Sequence, residues 1–450
     1  MESKALRNKI KILSKNLIKP SISSPTSKNE HHPKNYKLSF FDQFACQIHV
    51  PCVLLYPLKY SMFSFTKNSI IHEQLEQSLS KLLTHVYTAA GRFAVDGQSI
   101  DCHDEGVLYI KAKVECKLDN FLKDAQKDID LAMRFCPKID RDASNLSTTP
   151  LVVVQVTEFD CGGLALSVSM KHAVIDGFTA LKFVYEWSKV SKTGIISDKD
   201  CFTYDDLGTI FPARDNHLSK IVKSPRDNDH EFVETISRKF VIYESAISRL
   251  REIVGVACFK PSRVELVIAL FWRSLINVSQ RKNNGCLRPS LLIVPTNLRD
   301  KIHFPKYKNS FGNFAIEVPV KFIPGETRME LQDIVQLLRD VIQKTSISFA
   351  KASDDIIFSS AAKFHEEIQE WKKNEQVDVC MASSLCRFPI NELDFGWGKP
   401  CLTTFGLRRR DMFWLYDTEC GTGIVVQADL KQGYMNMFQC DQGVLTFTCQ

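Results

Sequence analysis

The sequence predicts two α/β-type domains, each a sheet with helices packed on it, and three observations carry that expectation. At 450 residues the chain is too long for one hydrophobic core of ordinary size. Strand-like and helix-like patterns are mixed within each half rather than sorted into blocks. Between the halves, from Ser191 to about Asp229, periodicity gives way to Lys, Asp, Pro and Ser, as expected of an interdomain crossover. The boundaries read from this are 1–190 for the first domain, 191–229 for the crossover and 230–450 for the second.

Along the first half, Lys19 to Lys37 is a Pro/Ser/His/Lys stretch that reads as an extended leader. A strand is expected from Val50 to Tyr56. Ile71, Leu75, Leu79, Leu82, Leu83 and Val86 then recur at helical spacing, in a helix ending before Gly91. Next comes a hairpin: Val-rich Leu151–Phe159, turn residues Asp160-Cys161-Gly162-Gly163, and Leu164–Met170. A short connection, Lys171 to Gly177, leads into a helix with apolar positions at Phe178, Leu181, Val184, Tyr185 and Trp187. In the second half Ser262-Arg263-Val264-Glu265 and Thr327-Arg328-Met329-Glu330 both read as capping boxes opening amphipathic helices. Strands are expected at Ser290–Pro295, Ala315–Val320, Val377–Ser383 and Gly423–Ala428.

Composition narrows the function classes. A formal charge of +6 without a dense basic run argues against a nucleic-acid partner; Arg408-Arg409-Arg410 reads as a solvated face or turn. The 15 cysteines, among them Cys46, Cys52, Cys258 and Cys380, lack zinc-ligand spacing and read as reduced core thiols, with no metal site. Met1 to Pro20 is Lys-rich and no signal peptide, so Asn145-Leu146-Ser147 matches the glycosylation pattern by chance. The longest apolar runs, near Val50–Leu58 and Leu266–Trp272, are under half the length of a membrane span. The expectation is a cytosolic protein with no membrane partner.

Two motifs carry chemistry. His172-Ala173-Val174-Ile175-Asp176-Gly177 lies where a buried strand hands over to a helix, a junction from which functional side chains often emerge. A histidine there suits removal of a hydroxyl proton, since its unperturbed pKa lies near neutrality. Taken alone, the hexapeptide fits equally a satisfied core histidine with Asp176 capping the following helix. The second motif is Asp394-Phe395-Gly396-Trp397-Gly398-Lys399-Pro400, which reads as a tight turn whose glycines permit positive φ and whose aromatics pack.

Together the two motifs, about 220 residues apart, resemble the BAHD family of plant acyl-CoA-dependent acyltransferases. Further matching positions run over nearly the whole chain: Lys19-Pro20, Tyr36-Lys37-Leu38-Ser39, Asp42-Gln43, Tyr87-Thr88-Ala89-Ala90-Gly91-Arg92, Asn297-Leu298-Arg299, Phe311-Gly312-Asn313 and Ser383-Ser384 through Pro389. The resemblance implies two domains of the chloramphenicol-acetyltransferase type, each a mixed sheet with flanking helices, joined by a crossover loop. It implies that His172 is the general base, that Asp176 pairs with Arg299, and that Asp394, Gly396 and Trp397 support the site structurally. Coenzyme A contacts carry over to Ser383 and Ser384. The partners implied are acyl-CoA, as cosubstrate, and a small-molecule hydroxyl acceptor, with no cofactor, no metal and no covalent acyl-enzyme; a monomer is expected. Lys171 stands where the family usually has Ser. A His-His pair would suggest a peptide-synthetase condensation domain; Lys171 and the Asp394 heptapeptide argue against that. Within the family, the opening segment and Ser384-Leu385-Cys386-Arg387-Phe388-Pro389 most resemble the branch of vinorine-synthase-like alkaloid acetyltransferases and acylsugar acyltransferases. An acylated sugar such as a sucrose ester is the expected acceptor, with an alkaloid or other alcohol, or a non-catalytic ligand-binding role, as the alternatives.

Overall fold

A computed structural model describes residues 10–21, 34–58, 66–126, 128–139, 146–196, 202, 207–214, 235–255, 259–299, 301–302, 308–406 and 411–449. Most of the crossover expected at 191–229, together with Asn145, Cys258 and Arg408–Arg410, lies outside the described residues. The first eight strands are β1 (Ile10–Ile18), β2 (Asn35–Lys37), β3 (His49–Tyr56), β4 (Arg92–Phe93), β5 (Ser99–Asp101), β6 (Val107–Val114), β7 (Val152–Phe159) and β8 (Leu164–Lys171). The remaining seven are β9 (Thr235–Ile242), β10 (Ser290–Asn297), β11 (Ala315–Phe322), β12 (Asp378–Ser384), β13 (Leu402–Phe405), β14 (Met412–Asp417) and β15 (Ile424–Lys431). The long helices are α1 (Thr66–Leu83), α2 (Gly177–Thr193), α3 (Arg263–Lys282), α4 (Leu331–Phe349) and α5 (Asp354–Lys373).

The chain divides into two compact units. The first comprises Met1–Lys223, Lys306–Phe314 and Pro389–Leu407; the second comprises Ser224–Pro305, Ala315–Phe388 and Arg408–Gln450. Two segments from within 230–450 thus lie in the first unit. Its main sheet has the order β1-β6-β7-β8-β3-β13, with β6 and β7 parallel and the other pairs antiparallel, beside a small β2-β5-β4 sheet. Every residue of β8 is buried, and all but its last, Lys171, are apolar or small, as suits a central strand covered on both faces. The expected hairpin closes with the Phe159 amide donating to the Gly163 carbonyl at 2.8 Å. Helix α1 buries Ile71, Leu75, Leu79, Leu82 and Leu83, its helical-period stripe, and α2 packs beside it, with Trp187 Nε1 donating to Ser78 Oγ at 3.1 Å.

In the second unit the sheet runs β11-β10-β12-β14-β15-β9, with parallel β10/β12 and β12/β14 pairs. Its core gathers Leu266, Phe271 and Trp272 of α3 with Leu292, Phe413, Val426 and Phe438. The Ser262 capping box forms: the Glu265 amide donates to Ser262 Oγ at 3.2 Å and the Ser262 amide to Glu265 Oε2 at 2.7 Å. The second expected box does not. Thr327 bridges to Pro324 and donates its amide to Ile323, so it closes a turn, and α4 starts later with Glu330 as its cap. No helix among the described residues is long and apolar enough to cross a membrane.

Candidate active site

His172 is the first residue after β8. The strand ends with the Lys171 amide donating to the Leu151 carbonyl at 2.8 Å, and the His172 amide donates to the Ile48 carbonyl at 2.8 Å. The chain then turns through Ala173–Ile175, all buried, with the Val174 amide donating to the Lys171 carbonyl. This turn delivers Asp176 to the start of α2, where its Oδ1 accepts the Thr179 amide at 2.9 Å. His172 itself is half-buried.

The capping reading of Asp176 is therefore realised, and the carboxylate does more. Its Oδ2 accepts the Phe314 amide at 3.0 Å, from a segment 138 residues further along the chain. The same segment grips the junction twice again. Thr179 Oγ1 donates to the Gly312 carbonyl at 2.9 Å, and Asn313 Nδ2 donates to the His172 carbonyl at 3.0 Å. Asn313 is in turn held by Asp42, whose Oδ1 accepts its side-chain Nδ2 at 2.8 Å and its amide at 3.3 Å. The other oxygen, Oδ2, accepts the Ser39 amide and hydroxyl, both at 2.8 Å, within the turn that opens the short helix Phe40–Phe44. Burial pushes the Asp42 carboxyl up to about 6, against hydrogen bonds from Ser39 and Asn313 that favour the charged form. Phe41 and Phe211 pack on Phe314 with ring centroids 5.3 Å apart.

Lys171, the departure from the family pattern, is buried and sends Nζ to the Gln47 carbonyl at 2.7 Å; burial lowers its pKa. Its register partner on β3, His49, bonds the Pro150 carbonyl through Nε2 at 2.9 Å, and burial takes its pKa down to about 4.

The Asp394 motif lies at the opposite end of α2. Asp394 Oδ1 accepts the Gly396 and Gly398 amides at 2.9 and 2.8 Å, and Oδ2 accepts Lys192 Nζ at 2.8 Å. Burial opposes the charge on Asp394, but Lys192 and the two amides outweigh it and hold the carboxyl below its usual range. Gly396 and Gly398 sit at φ of 112° and 107°, which side-chain-bearing residues rarely adopt. The Phe395 carbonyl accepts Gln74 Nε2 and Ser191 Oγ, both at 2.9 Å, and the Phe395 ring lies 5.0 Å from Trp187 and stacks on Trp397. With 1.5 Å rise per residue, α2 separates this loop from His172 by roughly 23 Å.

Of the residues singled out from sequence, the first unit thus brings Asp176 to His172 and puts Asp394, Gly396 and Trp397 at the far end of the helix that Asp176 caps. Arg299, Ser383 and Ser384 belong to the second unit. There Arg299 is buried and donates its amide and Nη1 to Asn297 Oδ1 at 3.1 and 3.3 Å. Ser383 and Ser384 end β12, beside Trp414 and Leu415 of β14. Sequence reasoning gave Asp42 and Asn313 no role. The Ser-x-x-Asp spacing of Ser39 and Asp42 was a legible capping signal; nothing local in sequence joins Asn313 to His172.

Comparison with known proteins agrees with this architecture. The profile of the Transferase family matches residues 8–445. Salutaridinol 7-O-acetyltransferase of Papaver somniferum is 30% identical over 478 residues, covering 96% of each chain. Acetyl-CoA-benzylalcohol acetyltransferase of Clarkia breweri is 30% identical over 457 residues, covering 96% of this chain and 98% of its own. The crystal structure of vinorine synthase superposes with a TM-score of 0.74 at 26% identity, over 98% of both chains. A family match across nearly the whole chain, with relatives alike from end to end, shows that the protein belongs to the Transferase family, the BAHD acyltransferases of plants, and uses acyl-CoA as cosubstrate to acylate a small-molecule acceptor at oxygen.

Proposed function

We propose that His172 is the general base of this acyl transfer and that the acceptor is an acylated sugar such as a sucrose ester. The observation that carries the assignment of the base is how His172 is held. Its amide is fixed to Ile48 and its carbonyl to Asn313, at the end of a buried strand, while the residue stays half-exposed. A fixed main chain at a residue that is not fully buried suits proton abstraction, in which orientation counts as much as pKa. In the reaction the imidazole takes the acceptor's hydroxyl proton as its oxygen attacks the thioester carbonyl. The new C–O bond forms, the C–S bond breaks, and the imidazolium returns the proton to the departing thiolate of coenzyme A.

Asp176, Arg299, Asp394, Gly396 and Trp397 support the base in this reading, and Ser383 and Ser384 contact coenzyme A. The enzyme works as a cytosolic monomer. The sugar acceptor rests on the likeness of the opening segment and of Ser384–Pro389 to acylsugar acyltransferases. A second acceptor class, another alcohol undergoing O-acetylation, is favoured by the relatives, whose names place acetylation on salutaridinol and benzyl alcohol. A mass-spectrometric screen of acyl-CoAs against sugar, alkaloid and phenolic acceptors separates the two classes. Product with sugars alone supports the first reading, and product with alkaloid or simple alcohols alone replaces it. For the base, His172→Ala is expected to fold and to lose ~10²–10⁴ in turnover. A well-folded variant with near-wild-type kcat would sink the assignment.

A further inference from the structure

The His172 carbonyl is gripped by a side chain far away in sequence, and that side chain is itself fixed by a buried carboxylate. Asn313 Nδ2 has two hydrogens, and its two acceptors are the His172 carbonyl at 3.0 Å and Asp42 Oδ1 at 2.8 Å. Asp42 also takes the Asn313 amide, and both Asp42 and Asn313 are only 3% exposed. The second oxygen of Asp42 is occupied by Ser39, so the carboxylate cannot rotate without breaking bonds at both ends. A buried amide whose two N–H donors are both engaged, one by a doubly anchored carboxylate, is held as a rigid strut.

We infer that Asp42 and Asn313 form a positioning relay for His172, which fixes the peptide plane after the histidine and thereby aims its imidazole. The inference rests on the reading of His172 as the base. It goes beyond it in assigning a catalytic-geometry role to two residues that touch neither the acceptor hydroxyl nor the thioester. Asn313 is the working link, because its amide group is the only part of the relay that reaches the His172 carbonyl. Asp42 orients that group: a carboxylate on one side of the Asn313 amide selects the rotamer in which Nδ2, and not Oδ1, faces His172.

Asn313→Ala removes the strut and leaves the Asn313 main-chain bond to Asp42 available. Displacement of a reacting group by about 1 Å can cost on the order of 10²-fold in rate. The expected result is a kcat per folded molecule lower by about 10- to 100-fold, with KM for acyl-CoA within about twofold of wild type. Asn313→Ser, too short to reach His172 but able to donate to Asp42, is expected to give the same split and serves should the alanine variant not fold. The exchange Asp42→Asn with Asn313→Asp separates positioning from mere stability. It restores an amide-to-carboxylate bond between the two sites but puts an acceptor against the His172 carbonyl. It should recover the melting temperature lost by Asn313→Asp alone while kcat stays low. Recovery of both, a kcat within about threefold of wild type in folded Asn313→Ala or Asn313→Ser, or a rise in KM at unchanged kcat would each overturn the relay. His172→Ala assayed in parallel keeps the two ideas apart. If it is inactive while the Asn313 variants keep kcat, the relay alone is wrong; if it is active, the base assignment falls first.

Discussion

The carboxylate of Asp176 accepts a backbone amide on each oxygen, Thr179 within its own helix and Phe314 from a remote segment. An ordinary N-cap tolerates exchange between Asp and Asn at a cost of a few tenths of a kcal/mol. Here the exchange cannot be neutral. Asn offers one acceptor oxygen and sets an NH₂ donor against the second amide. Asp176→Asn is therefore expected to destabilise the protein by about 1–3 kcal/mol, the penalty for a buried donor left unpaired. It should also depress kcat, because the Phe314 bond anchors the strand of chain that carries Asn313 to His172. Urea denaturation with activity per folded molecule checks this. A loss below half a kcal/mol would return Asp176 to a plain capping role. Lys171 also acts locally: its ammonium bonds the Gln47 carbonyl, one residue from the carbonyl that holds the His172 amide. The departure from the family's usual Ser thus adds a tie at the same junction.

At the scale of elements, α2 links the two motifs. Its first turn is capped by Asp176 and its last turn is clasped by the Asp394 loop, through Lys192 and through Ser191 Oγ to the Phe395 carbonyl. The aromatic pair Phe395–Trp397 packs edge-on against Tyr56 of β3, whose hydroxyl donates to the Leu393 carbonyl at 3.0 Å. This loop therefore staples the distal end of the helix to the main sheet of the first unit, at the opposite end of α2 from His172. Trp397→Ala should cost about 3 kcal/mol in stability, the low end for a large aromatic because Trp397 is only half-buried. Activity should fall in step with the folded fraction, read from thermal melts beside specific activity. Unchanged stability with a slowed chemical step would give the motif a catalytic part.

For the whole molecule, the question is whether the acyl group passes directly from coenzyme A to the acceptor or rests on the protein. Burial pushes the thiols of Cys52 and Cys102 up to about 12 and that of Cys386 up to about 11, which leaves them protonated and poorly nucleophilic. Cys420 goes the other way, to about 6, on an exposed turn where Thr418 and Thr422 bond its sulfur. Direct transfer through a ternary complex is the expected outcome, so initial-rate plots at varied acyl-CoA and acceptor should intersect. Parallel lines, or an acyl group trapped on Cys420 and found by intact-mass measurement, would contradict it.

Much of this molecule is written locally. The β7–β8 hairpin, α1 with its leucine stripe, the capped start of α3 and the strand-to-helix junction at His172 each rest on patterns within about twenty residues, so sequence alone determined them. So did the family and its acyl-CoA chemistry, because two motifs at a fixed separation are specific in combination. Elements with weak local signals were illegible. Edge strand β1 buries so little that lysines break its apolar run, and four-residue β13 is defined only by pairing with β3. The Thr327 box was misread because a turn had already claimed the Thr327 backbone. Only tertiary structure decided what holds the junction at His172. The Asp42, Asn313 and Phe314 bonds join residues that are 138 to 271 positions apart. No local pattern encodes such bonds, since a buried amide and carboxylate find each other through the packing of the elements that carry them.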